Sequence, residues 1–384
     1  METRKLYYED SHLSRFTSAV LSCAKAADGW EVTLAATAFY PEGGGQAGDS
    51  GTLNGVRVRS TREREGAVIH LCEAPLEAGA TVTGVIDYDL RFARMQQHSG
   101  EHIVSGILNR RYGCHNTGFH MGADVITIDF DGVIPPQVLP EIEAEANGAV
   151  WKNLPVRCWY PSPEELPAIP YRSKKALAWP VRIVEIPGYD CCACCGTHVA
   201  ATGEIGLIKL LSAVSFRGGT RIEMACGSQA LALLNAAFDQ NRQVSQAFSA
   251  KITETGEAAR RMNELLSAQK YRMAGLEKRV FAGIAESYGN RGNVLHFEEG
   301  LSADDVRELA DAIADKCGGT AAVFSGSDGG GYTYCLIARQ GDLRQLGRDM
   351  TAALHGRGGG KPLCQQGRVQ AAKEEIEAFF ASRQ

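Results

Sequence analysis

RFARMQQHSGEHIVSGILNRRYG, residues 91–113, decides how the rest of the chain is read. Met95, Ile103, Ile107 and Leu108 mark an apolar stripe at helical spacing, so the stretch is an amphipathic helix. Upstream the pattern changes to period two. From Lys5 to about Asp89, WEVTLAATAFY, GVRVRS, GAVIHLC and ATVTGVID alternate with glycine and acidic turns, which predicts a small antiparallel β-barrel or sandwich over residues 1–90. Downstream, VITIDFDG, an acidic helical stretch after Pro136, strands around VRCWY and VRIVEI, and then GEIGLIKLLSAVSF and GGTRIEMACG make residues 91–227 an α+β layer. Residues 228–288 are rich in Ala, Gln, Glu and Arg and read as helix, with a break at Gly256. Sparse apolar positions there, including Leu231, Leu234, Phe238, Leu265, Leu266, Met273, Leu276 and Val280, fit either a helical hairpin or a coiled coil that makes a homodimer. From 289 to 384, NVLHF, SADDVRELADAIADKC, AAVFSG, YTYCLIAR and DLRQLGRDMTAALH alternate as a separate small α/β domain. The expected fold class is therefore α+β multidomain: N-terminal β-barrel, α+β domain, helical linker, C-terminal α/β domain.

A chain of 384 residues exceeds what one hydrophobic core usually serves. With 44% hydrophobic and 22% charged residues it can fill several. The start, METRKLYYEDSHLSR, lacks the apolar centre of a signal peptide, and no later run approaches the roughly 20 apolar residues of a membrane helix. A cytoplasmic protein with no membrane partner is expected. Of twelve cysteines only Cys191, Cys192, Cys194 and Cys195 cluster, and a reducing compartment argues against a disulfide framework. A formal net charge of −5 does not advertise a nucleic-acid binder. Any RNA contact must be a local basic surface, for which Arg91 with Arg94, Arg110 with Arg111, Arg172 with Lys174 and Lys175, and Arg217 with Arg221 are candidates.

His98 and His102 lie four apart on the helix, so they project from one face one turn apart. Cys194 and His198 repeat the spacing about a hundred residues later. Thiolate and imidazoles suit Zn2+, and two such pairs brought together complete a tetrahedral set. Spacing alone leaves Cys191, Cys192 and Cys195 as competing sulfur donors.

RMQQHSGEHIVSGIL, AFYPEGGGQAGDSGTL, CCGTHVAATGEIGLIKL and RIEMACG together resemble the editing module shared by alanyl-tRNA synthetases and the free-standing AlaX proteins, over residues 1 to about 227. The resemblance places the metal residues on His98, His102, Cys194 and His198. The family usually reads Cys-Gly-Gly-Thr-His, where this chain has Cys195 at the first glycine. HGRGGGKPLCQQG, residues 355–367, is similar to the DHH-associated domain that ends the longer AlaX proteins; there Arg357 interrupts a usually longer glycine run. What the resemblance implies is a zinc-dependent hydrolase acting on mischarged tRNA(Ala), with the seryl ester as its substrate and the glycyl ester as a second candidate.

In the same resemblance Thr37 senses the serine hydroxyl, and Gln46, at the end of the Gly43, Gly44, Gly45 loop, positions the substrate. Candidate tRNA contacts are Arg94, Arg217, Arg221, Arg357 and Lys361. Because a synthetase's aminoacylation module would add several hundred residues ahead of the editing region, this chain is not expected to charge tRNA. Four protein ligands normally close a zinc site, so the ion either expands its shell or mainly orients the tRNA end. Two rival readings stand beside this one. His98-Ser-Gly-Glu101-His102 also fits the inverted zinc-protease order, with Glu101 as general base. Four ligands also suit a non-catalytic zinc module that only binds tRNA or a synthetase.

Overall fold

The computed structural model describes residues 2–383 apart from 123, 174–176 and 178, so Lys174 and Lys175 of the basic stripe lie outside the described residues. The chain divides into two compact units, Met1–Gln243 and Val244–Gln384.

The first unit begins with β1 (Arg4–Lys5), β2 (Arg15–Ala26), β3 (Gly29–Leu34), β4 (Ala36–Thr37), β5 (Gly51–Leu53), β6 (Val56–Arg64), β7 (Ala67–Cys72) and β8 (Thr81–Ile86). Six of these close on themselves in the order β2, β3, β7, β6, β5, β8, so the period-two stretch becomes a ring of strands without a free edge. Alternate residues such as Phe16, Val20, Val32, Leu34, Val58 and Val82 point inward and form its core. Asp87 joins the ring to the helix that follows, since its carboxylate accepts from Ser50 Oγ and from the Arg57 guanidinium while its carbonyl takes the amide of Arg91.

That helix is α1 (Tyr88–Tyr112), and it is the expected one. It lies with α2 (Leu139–Trp151) against a four-stranded sheet ordered β14 (Ile208–Phe216), β15 (Gly219–Cys226), β10 (Ile126–Phe130), β9 (Asn116–Met121). Met95, Ile103, Ile107 and Leu108 are fully buried there, each contributing roughly 1.5–3 kcal/mol of transfer free energy. Burial extends beyond the stripe to every residue from Met95 to Leu108, because the opposite face of α1 meets the ring's long loop and the cysteine cluster. A three-stranded sheet, β11 (Arg157–Trp159), β12 (Ile183–Ile186) and β13 (Asp190–Ala193), carries that cluster. The strand signal in GEIGLIKLLSAVSF holds only from Ile208; Thr202–Ile205 is a 3-10 turn. Among the described residues no helix is long and apolar enough to cross a membrane.

α3 (Gly227–Ala247) runs through the boundary between the units, and α4 (Thr255–Ser287) belongs to the second. The helical break therefore falls at residues 248–254. Gly256 stands in the first turn of α4, where a glycine costs little because the amides there have no intrahelical acceptor. The second unit then builds a sheet ordered β16 (Gly292–Phe297), β17 (Gly318–Ser327), β18 (Gly331–Ala338), β20 (Cys364–Val369), β19 (Arg357–Lys361). Three helices accompany it: α5 (Ala303–Cys317), started by a Ser302–Asp305 capping box, α6 (Arg344–Ala353) and α7 (Lys373–Ala381). The glycine-rich segment is thus the edge strand β19, hairpinned on β20.

Candidate metal centre and substrate cavity

His98 and His102 project from one side of α1 toward the turn after β13, where Cys194 and His198 close the set. One ligand atom from each of the four lies within 4.8 Å of the others. Cys194 Sγ stands 3.4 Å from Nε2 of His98 and 3.4 Å from Nε2 of His198. In a tetrahedral site with metal–nitrogen bonds near 2.0–2.1 Å and a metal–sulfur bond near 2.3 Å, ligand atoms are separated by roughly 3.3–3.6 Å. The four residues are therefore spaced to hold one such ion. The choice of sulfur that spacing left open falls on Cys194, because Cys195 is exposed and Cys192 groups instead with His102 and Asp190.

Each imidazole is fixed through its other nitrogen, which fits coordination through Nε2. His98 Nδ1 donates to Gln46 Oε1 at 2.9 Å, His102 Nδ1 to Asp190 Oδ2 at 2.8 Å, and His198 Nδ1 faces Ser99 Oγ at 3.2 Å. Asp190 is held in turn by Arg172 at 2.6 and 2.9 Å. Burial opposes a charge on Cys194, yet the imidazoles of His98 and His102 hold its thiol well below the ordinary range. Burial also disfavours charge on His102, but the Cys194 sulfur and the Asp190 carboxylate keep it well above the usual imidazole value. His198 is pushed down to about 3 by burial and by His98. The surroundings thus favour the deprotonated sulfur of Cys194, the form in which it would bind a divalent cation.

Two glycines make this approach of elements feasible. A Cβ on Gly196 would stand 2.0 Å from Cε1 of His98, so the second glycine of the family's Cys-Gly-Gly-Thr-His phrase is required by the ligand itself. Cys195, at the first glycine, is exposed, which explains why a side chain is accepted there. Gly45 has φ +87, and a Cβ on it would meet the Phe119 carbonyl at 2.5 Å. Its lack of a side chain serves the seating of the loop on β9.

Gln46 is buried, and both ends of its side-chain amide are engaged. Oε1 accepts from His98 and from the Thr197 amide, while Nε2 donates to Thr197 Oγ1 at 2.8 Å. Gln46 thus stands beside the metal centre, where it positions His98. Of the three loop glycines, Gly44 lines the cavity above the centre, whereas Gly43 closes the loop by pairing with Gln46. That cavity measures 380 Å³ and includes His98, Glu101, His102, Arg182 and Cys195 in its wall.

Thr37 lies elsewhere. It is 0% exposed in the ring, donates to His70 Nε2 at 2.8 Å and accepts from the Phe39 amide at 3.1 Å. Burial pushes His70 down to about 4, so its ring is neutral; Nδ1 bears the hydrogen facing the Val32 carbonyl, and Nε2 accepts. Thr37 is not among the residues lining the cavity.

The basic candidates divide as well. Arg94 is half-buried and donates to the Gly48 carbonyl, and Arg221 pairs with Asp129 at 2.7 and 2.8 Å while lying over the Phe216 ring. Both are engaged within the fold. Arg217 is exposed at the tip of the β14–β15 hairpin, and Arg357 and Lys361 are exposed at the two ends of β19. Sequence reasoning missed Ser99, Thr197 and Asp190 as supports of the ligands. Only Asp190 left a trace, as an acid next to the cysteine cluster.

Three family models match the chain. Residues 181–223 match the Threonyl and Alanyl tRNA synthetase second additional domain, residues 3–90 the tRNA synthetases class II (A), and residues 290–382 the DHHA1 domain. An alanine-tRNA ligase of Thermofilum pendens is 33% identical, with 97% of this chain and 43% of the relative covered. The alanyl-tRNA editing protein AlaX-L of Pyrococcus horikoshii is 28% identical, with 97% of this chain and 96% of the relative covered. The alanyl-tRNA editing protein Aarsd1 of Danio rerio is 24% identical at the same coverages. The chain thus spans less than half the length of that ligase and nearly the whole length of the two editing proteins.

Proposed function

We propose, since the chain is similar to the alanyl-tRNA editing proteins AlaX-L and Aarsd1 over nearly their whole length, that it is an aminoacyl-tRNA deacylase acting in trans on mischarged tRNA(Ala), with the seryl ester as substrate and the glycyl ester as a second candidate. The observation that carries this reading is the four-residue centre of which His98, His102 and Cys194 line a 380 Å³ cavity beside Gly44 of the GGGQ loop. The donor set of one thiol and three imidazoles suits Zn2+ held by His98, His102, Cys194 and His198. What zinc supplies when bound is positive charge where the ester carbonyl would lie. The chain's own part is orientation. Gln46, Asp190 with Arg172, and Ser99 hold the imidazoles at fixed angles, and Leu177, Pro180 and Val181 give the cavity an apolar side that limits water. Hydrolysis adds water across an already labile ester, releasing the amino acid and tRNA with a free ribose hydroxyl. Incubation of purified protein with seryl-tRNA(Ala) should release serine well above the buffer rate and leave alanyl-tRNA(Ala) largely intact; an unchanged seryl ester would overturn the proposal. The same result separates it from a module that only binds tRNA.

Thr37 keeps one lone pair after its bonds to His70 and Phe39, and that lone pair is the acceptor through which it would sense a serine hydroxyl. Thr37→Val should then slow serine removal roughly five- to a hundredfold while glycine removal changes much less, and Thr37→Ser should keep the difference. Equal slowing of both substrates, accompanied by a lower melting temperature, would make Thr37 a ring residue only.

For the tRNA, Arg217 and the exposed pair Arg357 and Lys361 are the contacts this reading retains. Self-association through α4 also belongs to it. Met262, Leu266, Gln269, Met273, Leu276 and Val280 follow a heptad spacing, and the five apolar members are exposed. In a parallel pair of copies, Arg272 of one helix would face Glu277 of the other. Sedimentation equilibrium should give twice the chain mass, and Leu276→Glu should give the single mass; a monomeric wild type rejects the dimer.

A further inference from the structure

Glu101 is the one carboxylate among the described residues that line the cavity, and at 3% exposure it is almost wholly enclosed. A carboxylate at such a position is costly unless its oxygens meet donors or a cation. Half of that requirement is met. Oε1 accepts from Ser105 Oγ at 2.5 Å and from the Asn116 side-chain amide, so the group is pinned in one orientation. Oε2 receives neither bond. It points toward the metal centre, 3.9 Å from Nε2 of His102. The cations nearest the cavity are not available to it, because Arg172 is bound to Asp190 and Arg182 donates to the carbonyls of Cys194 and Gly196 at 3.0 and 2.9 Å.

The ester proposed as substrate brings its own cation. An aminoacyl ester carries an α-ammonium two bonds from the carbonyl carbon, so an ester placed at the metal centre puts that ammonium within a few ångströms of it. We propose that Oε2 of Glu101 receives the α-ammonium of the esterified amino acid. Glu101 is then a substrate-binding residue that admits free aminoacyl esters and disfavours those whose amine is blocked. The inference rests on the deacylase reading, and it adds the feature of the substrate that this cavity recognises irrespective of the side chain.

The test scores binding, so its answer does not depend on turnover. The probes are 3′-seryl-amino-3′-deoxyadenosine, whose amide linkage resists hydrolysis, and the same molecule acetylated on its α-amine. Titration calorimetry on the zinc-loaded full chain should show the free amine binding roughly 10- to 100-fold more tightly than the acetylated form, the range of a charge-assisted hydrogen bond. Glu101→Gln keeps an oxygen for Ser105 and Asn116 and should bind both probes within about twofold of each other, with zinc content unchanged. Glu101→Asp, which keeps the charge on a shorter arm, should retain part of the preference. A wild type that binds both probes alike, or neither, overturns the inference, as does a Glu101→Gln protein that keeps the preference. A Glu101→Gln protein that loses zinc while Glu101→Asp binds both probes alike also overturns it, and assigns the carboxylate to supporting the metal. Failure to deacylate seryl-tRNA(Ala) would instead count against the parent reading alone.

Discussion

Gly196→Ala is expected to cost the protein its metal centre, lowering zinc affinity by more than about a hundredfold, beyond the range usual for loss of a supporting group around a metal. The added Cβ would lie 2.0 Å from Cε1 and 2.3 Å from Nδ1 of His98. Those ring atoms cannot yield alone, because Nδ1 is tied to Gln46 and the ring stacks on Phe119 at a centroid distance of 5.1 Å. Displacing His98 removes one of four ligands and breaks the Gln46 bond that also fixes Thr197. Competition with a chromophoric chelator reads the affinity directly. Cys195→Gly, one residue away at an exposed position, should bind zinc like the wild type. A Gly196→Ala protein with normal zinc affinity would mean that the turn after β13 can move away from α1, and the requirement for glycine would be withdrawn.

The four candidate ligands were legible as a cluster because each pair is local. A four-residue spacing on a helix or in a tight turn is a property of neighbours in sequence, and the apolar stripe that declared α1 a helix also declared which face His98 and His102 share. The supports of those ligands were not legible. Gln46 meets His98 across 52 residues and Asp190 meets His102 across 88, and no local pattern encodes a register between a ring loop, a helix and a short strand. Gln46 in particular stood in a conspicuous phrase whose glycines suggested an open binding loop, but the structure spends Gly45 on seating against Phe119 and the glutamine amide on His98 and Thr197.

The basic residues show the same limit from the other side. Arg94 and Arg221 look in sequence like Arg217, and only the positions of Gly48 and Asp129 in space distinguish an arginine that holds the fold from one that is free for a phosphate. In the second unit the glycine run of residues 358–360 gives no alternation of apolar and polar side chains, so a strand there was invisible until its pairing with β20 could be seen. The helical break was misplaced at Gly256 for a related reason: a glycine is punctuation only inside a helix, and this one lies in a first turn.

Asp49→Ala should be the most destabilising single change in the first unit. Asp49 and Arg91 are each 1% exposed, and the guanidinium donates to the carboxylate through Nε at 2.9 and 3.1 Å and again through Nη2. Arg91 also donates to the carbonyls of Ser11 and Ala38, and the Tyr40 amide donates to Asp49 at 2.6 Å. Truncation leaves a guanidinium out of water without its counter-ion and an amide without an acceptor, a loss of about 3–5 kcal/mol. For a unit of this size that corresponds to a fall of roughly 10 °C in melting temperature. Trp30, Trp151, Trp159 and Trp179 all belong to the first unit, so tryptophan fluorescence follows its unfolding within the full chain. Asp49→Asn, which can still accept from Tyr40 but carries no charge, should fall between the two. Because Asp49 ends the loop that carries Gln46, zinc affinity should drop in the same order as stability. A melting temperature for Asp49→Ala within about 2 °C of the wild type would mean that the two carbonyls alone satisfy Arg91, and that the loop is held to α1 by the bonds of Gln46 rather than by this ion pair.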